Sequence, residues 1–260
     1  MNRLFTFGCS FTHYHWQTWV DSIADQFDKT YNWGMPGSGN QSIAIRLTQC
    51  HKSFNITKDD TVLIMWTNIS REDRWSTNGW ECAGNISSPK HKKLPDIEDL
   101  QWYALRDYST ITNTVWLLNH LGCKHEMYSM VPYYQADQYE DGPIYDRGKT
   151  ISNVFGNELE QIKPSVLDVL YNGIWPQDRR DMHPYPSEHL KYMDLVSSYT
   201  PSESARKIAY EQDIWIKDKI ESFGNSKKML GVDELSKIRE NKKNHRTAMV
   251  GLQHYELVSY

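Results

Sequence analysis

The 260-residue chain has little that would tie it to a membrane, a nucleic acid or an oxidising compartment. No stretch approaches the roughly 20 apolar residues of a membrane span. A lone Arg3 before a short apolar run ending at Gly8 lacks the core of a secretory signal. The expectation is therefore a cytoplasmic protein with no membrane partner. A net charge of −4 gives no global pull toward phosphate backbones, so nucleic acid is not an expected partner. Four cysteines, Cys9, Cys50, Cys82 and Cys123, stand far apart without CxxC spacing, and free thiols are expected rather than a disulfide framework. The stretch GMPGSGN is not GxGxxG, and no P-loop lysine follows it. His13 and His15 are alternate residues with no Cys or Asp cluster beside them. No metal and no cofactor are expected.

Aromatic residues, in contrast, are abundant: ten Trp and sixteen Tyr exceed what a core of this size needs, so some rings should face a groove or a partner. The apolar pattern alternates between two periods. RLFTF (3–7) reads as a strand, and Trp16, Trp19, Val20, Ile23 and Phe27 then recur at helical spacing, with the helix beginning near Phe11. TYNW reads as a second strand, SIAIRLTQCHKSF as a helix, and TVLIMW (61–66) as a strand buried on both faces. YSTITNTVWLLNHLG predicts a helix stopped at Gly122, and KHEMYSMV a strand halted at Pro132. Repeated β-α units of this kind predict an α/β fold with a parallel sheet between helices.

Two stretches break the pattern. Residues 71–101 are polar and turn-rich and read as a long loop carrying Trp75 and Trp80, the composition of a binding loop or lid. Beyond Tyr199 a capped helix begins at Pro201, and 226–246 carries seven Lys and Arg against three acids. The division expected is an α/β domain over 1–199 and a helical, locally basic C-terminal extension over 200–260, available for a protein contact.

Chemistry would gather where strands end, because ligands of open α/β sheets bind outside the carboxyl ends of the strands. Ser10, in FGCSFT, stands there after the first strand: a nucleophile, or merely a helix cap. Gly37 and Gly39 lie in the turn after the second strand, where backbone amides can face an oxyanion. Asn68 follows the third strand with a side-chain donor. In DMHPYPSEH, Asp181 and His183 supply an acid and a base; His189 falls in the first turn of the next helix. Hydroxyl, oxyanion donors, base and acid are the set that acyl transfer requires. Cys9 is the rival nucleophile, although after a buried strand it reads as a small apolar residue.

The order of these blocks resembles the SGNH (GDSL-like) hydrolases, in the GCSFT form of phage-type and bacterial members. The resemblance spans residues 3–197 and implies a flavodoxin-like α/β/α sandwich with a mostly parallel sheet. It also implies Ser10 as nucleophile, Gly37 and Asn68 as oxyanion donors, and His183 with Asp181 as base and orienter. Two departures stand out: Cys9 replaces the usual Asp before the serine, and Asp181 lies two residues before His183 instead of three, leaving Asp178 as an alternative orienter. The function implied is a serine esterase, acting on a small-molecule or O-acylated carbohydrate ester. The other reading is a non-catalytic binding or assembly protein, virion-associated, built on the same fold.

Overall fold

The computed structural model describes residues 1–76, 79–85, 100–133, 154–224, 229–239 and 255–257. Its centre is strand β1 (Arg3–Gly8), flanked by β2 (Lys29–Asn32) on one side and β3 (Thr61–Trp66) on the other, with β6 (Lys124–Ser129) beyond β3. All of these pairings are parallel. The order β2-β1-β3-β6 is the flavodoxin-like 2-1-3-4, and a three-residue strand, β7 (Tyr255–Leu257), adds in parallel outside β2.

The sheet is buried on both faces because its strands carry apolar side chains in both directions. On β3, Val62, Ile64 and Trp66 pack with Phe5 and Phe7 of β1 on one face. That face is covered by α2 (Asn40–Phe54), through Ile43 and Leu47, and by α3 (Leu100–Leu121), through Ile111, Val115 and Leu118. Leu63 and Met65 point the other way, with Leu4, onto α1 (Trp19–Ile23), α4 (Val166–Tyr171) and α5 (Pro186–Val196). The alternation within one apolar run is the period-2 geometry of a strand with a helical layer on each side. The α/β/α sandwich implied by the sequence is the fold observed.

Three local features differ from the pattern read in sequence. No helix begins at Phe11: Ser10 sits in a single turn closed by Thr12 N and His13 N on Cys9 O, at 3.0 and 3.1 Å, and α1 starts only at Trp19. The start signal lies at Thr18, whose backbone amide donates to Asp21 Oδ2 at 2.8 Å. A 3₁₀ turn (Ala24–Gln26) then cuts the expected helix short. Within 71–101, Arg71–Ser76 (β4) and Gly79–Asn85 (β5) form an antiparallel hairpin rather than a loop. Its polar side chains pair with helix termini: Asp73 accepts from Gly39 N at 2.6 Å and Ser42 N at 3.0 Å at the start of α2. Such pairing leaves no hydrophobic period to read. The intervening 77–78 and the 86–99 part of the stretch lie outside the described residues.

Beyond residue 200, α6 (Glu203–Ser222) starts at Ser202, whose hydroxyl accepts from Ala205 N at 3.2 Å. It lies on α5 and α1. Ile216, Leu230 and Ile238 form a cluster with Tyr14, Trp16 and Tyr185, so the C-terminal segment packs against the chain on either side of Ser10 and His183. Of the seven basic residues of 226–246, Lys237 and Arg239 are described and the other five lie outside the described residues. Among the described residues no helix is long and apolar enough to cross a membrane.

Candidate active site

Gly8, the last residue of β1, is a position where nothing larger fits. A Cβ there would lie 2.0 Å from Thr12 Oγ1 and 2.9 Å from Met65 O of β3. The chain then turns tightly through Cys9 and Ser10. Asn32, at the end of β2, pins this turn: its Nδ2 donates to Thr12 O at 2.9 Å, and Gly34 N donates to its Oδ1 at 2.8 Å. Met35 N reaches Gly8 O at 2.9 Å, tying the loop after β2 to the same corner. Cys9 points into the apolar cluster beneath α1, fully buried, so its sulfur serves packing.

His183 arrives from the other end of the sequence. His183 Nε2 lies 2.8 Å from Ser10 Oγ, and His183 Nδ1 lies 2.6 Å from Asp181 Oδ1. The two-residue spacing works because the same Asp181 oxygen also accepts the His183 backbone amide at 2.8 Å, folding the segment back on itself. Asp178 is exposed. Behind the pair stand aromatic residues from the Ser10 segment. Tyr14 donates its hydroxyl to Asp181 Oδ2 at 2.5 Å and stacks on the His183 ring at 3.7 Å and 19°. Trp16 Nε1 donates to Pro184 O at 2.8 Å. Phe11 stands 5.4 Å from the His183 ring, with Trp175 5.7 Å beyond it. His13 faces Gly34 O, and His15 packs edge-on against Tyr14.

Asp181 is 3% exposed, and its burial works against ionisation. The bond and charge of His183, followed by the Tyr14 hydroxyl and the His183 amide, outweigh burial and hold the carboxyl below its usual range. Burial, reinforced by Asp181, pushes the Tyr14 phenol up, which keeps it a donor.

Gly37 and Asn68 occupy loops that leave β2 and β3, the two neighbours of β1, at the same edge of the sheet. Gly37 takes φ +84° after Pro36, and Ser38 N closes the turn on Met35 O at 3.1 Å. This is the type II arrangement, in which the third residue favours glycine. Asn68 Oδ1 accepts Ser70 N at 2.8 Å, which fixes the carboxamide and leaves its NH₂ as the donating end. The loop itself is held by Asn40, the first residue of α2. Asn40 Oδ1 accepts Thr67 N at 2.9 Å, while its Nδ2 donates to Thr67 O at 3.1 Å and to Asp107 Oδ2 at 2.7 Å. Burial pushes Asp107 up to about 6, against the bonds it receives from Arg106 and Asn40.

Sequence reasoning thus named Ser10, His183 and Asp181, which hydrogen bonds join, and passed over Tyr14, Asn32 and Asn40. Asn32 lies in TYNW, Asn40 ends GMPGSGN and Tyr14 stands between His13 and His15, but only their partners across the fold reveal what they hold.

No protein-family model and no curated protein matches the chain. Several solved structures do resemble it. A catalytic mutant of Axe2, an acetylxylan esterase from Geobacillus stearothermophilus, shares 16% identity over 78% of this chain and 97% of its own, at a TM-score of 0.42. A putative acylhydrolase from Bacteroides fragilis shares 13% over 83% and 87%, at 0.38. A GDSL-like lipase from Bacteroides thetaiotaomicron shares 17% over 75% and 84%, at 0.37.

Proposed function

We propose that the protein is a serine esterase in which Ser10 is the nucleophile, His183 the general base and Asp181 its orienter. The observation that carries the reading is the unbroken hydrogen-bonded line from Ser10 Oγ through both nitrogens of His183 to a buried carboxylate. In the forward step Ser10 Oγ attacks the ester carbonyl carbon while its proton passes to His183 Nε2. The carbonyl oxygen takes up the negative charge and is met by the amide of Gly37 and the carboxamide NH₂ of Asn68. Collapse expels the alcohol, which takes the proton from His183. A water then repeats the sequence on the acyl-serine: His183 removes its proton, the acid leaves, and Ser10 regains its hydrogen.

The substrate class proposed is an O-acylated carbohydrate, supported by the half-buried Trp175, which packs on the buried Phe11 beside His183, since flat rings stack on sugar faces. Hydrolysis of a nitrophenyl acetate and of acetylated sugars by the parent and by Ser10→Ala tests both parts. The expected result is turnover of both classes by the parent and none above background by the variant. Equal rates in the two proteins overturn the nucleophile, and turnover restricted to the nitrophenyl ester overturns the carbohydrate assignment.

A further inference from the structure

The hydrogen-bonded line from Ser10 does not end at Asp181. Its Oδ1 is shared by His183 Nδ1 and the His183 amide, and its Oδ2 is met by the Tyr14 hydroxyl at 2.5 Å. The Tyr14 ring meanwhile lies nearly parallel to the imidazole at 3.7 Å. One side chain therefore touches both partners of the base pair, and it belongs to the segment that carries the nucleophile, four positions after Ser10. Bonds to Oδ1 alone restrain the χ2 torsion of the carboxylate from one side only. A second donor on the opposite oxygen restrains it from the other side, and a ring stacked on the imidazole fixes the plane in which Nε2 can meet Ser10 Oγ.

We propose that Tyr14 is a positioning residue of this site, locking the Asp181 carboxylate through its hydroxyl and the His183 plane through its ring. The inference rests on the esterase reading for its kinetic consequence only. Tyr14 is 9% exposed and packs with Trp16, Ile216 and Leu230, so its phenol is available to Asp181 rather than to bulk water. Because the hydroxyl and the ring act on different partners, removing the hydroxyl alone is the informative change. Tyr14→Phe keeps the stack and leaves Asp181 Oδ2 without this donor.

The test joins kinetics with a signature that needs no substrate. In Tyr14→Phe, kcat is expected to fall about tenfold with KM within about twofold, because the loss is in alignment rather than in binding. On an Asp181→Asn background the same change should cost nothing further, since the group it acts through is already altered. In proton NMR the His183 Nδ1–H resonance, far downfield in the parent, should broaden and move upfield in Tyr14→Phe as the carboxylate turns away. An unchanged resonance, or an equal loss in both backgrounds, overturns the proposal. So does a melting temperature lowered by more than about 10 °C, which would make the hydroxyl a determinant of folding and not of alignment. A parent that turns over no ester sinks the esterase reading, and the NMR arm then decides Tyr14 alone.

Discussion

Asn40 grips Thr67 by both of its backbone groups: Oδ1 accepts the amide, and Nδ2 donates to the carbonyl. Thr67 is the residue before Asn68, so the first residue of α2 sets where the chain leaves β3 and hence where the Asn68 carboxamide stands. Asn40→Ala should lower kcat about tenfold or more while leaving two buried backbone groups without this partner. That loss costs about 1–3 kcal/mol of stability. Kinetics and denaturant melts on one preparation check it; full kcat with reduced stability would show that the grip serves the fold alone.

Asn68→Ala separates an oxyanion donor from a loop cap. Loss of one preorganised donor typically costs about a hundredfold in kcat, because that bond strengthens as charge develops on the carbonyl oxygen. KM should change far less, since the ground-state carbonyl bears little charge. The loss of the Ser70 amide bond should cost about 1 kcal/mol of stability at the same time. A stability loss without a kcat loss would sink the oxyanion assignment.

Asp181→Asn is expected to cut kcat strongly, whereas Asp178→Asn, at an exposed position, should stay near the parent. The folded chain also holds the Asp181 carboxyl below its usual range, so its contribution to stability is present above the unfolded value near pH 4 and is lost as pH falls through the lower folded value. Acid melts should therefore show a flattened acid limb in Asp181→Asn relative to the parent.

Asp107 carries the opposite sign. Raised to about 6 in the fold, it keeps its proton where an unfolded aspartate, near pH 4, has released it. Between those values the native chain binds more protons, so stability should fall as pH rises, by at most about 3 kcal/mol. Asp107→Asn should remove that part of the slope whatever it does to the absolute stability. Chemical melts at intervals from pH 4 to 7 read it directly; an unchanged slope would remove Asp107 as its source.

The C-terminal segment offers a test of the proposed division at residue 199. Ile216, Leu230 and Ile238 cover Tyr14, Trp16 and Tyr185, and Asp213 accepts the Ser187 amide at 3.0 Å at the start of α5. Truncation after Tyr199 should therefore remove β7 but leave β2-β1-β3-β6 able to form, while uncovering the residues behind His183. The expected outcome is a folded protein by far-UV circular dichroism with a lowered melting temperature and reduced kcat. An unfolded product would place the segment in the core of the α/β domain itself.

What the chain's own order determined was the sandwich and the three residues joined at its edge. TVLIMW carries enough apolar side chains for both faces of a sheet, and Gly122 stops a helix by adopting φ +66°. Ser10, Asp181 and His183 stand out in the sequence because few residue types could do the chemistry proposed for them. Other features were set by partners distant in sequence. The helix expected from Phe11 gave way to an irregular segment because Tyr14 and Trp16 are drawn onto Asp181 and Pro184 by bonds that cross more than 160 positions. Likewise the polar run from Arg71 forms a hairpin because Asp73 caps α2, 31 and 34 positions back. Hydrophobic period reports what one segment buries against the sheet, and that is local to the segment. A buried hydrogen bond depends on two segments meeting, so Tyr14, Asn32 and Asn40 acquire their roles only when the chain has closed.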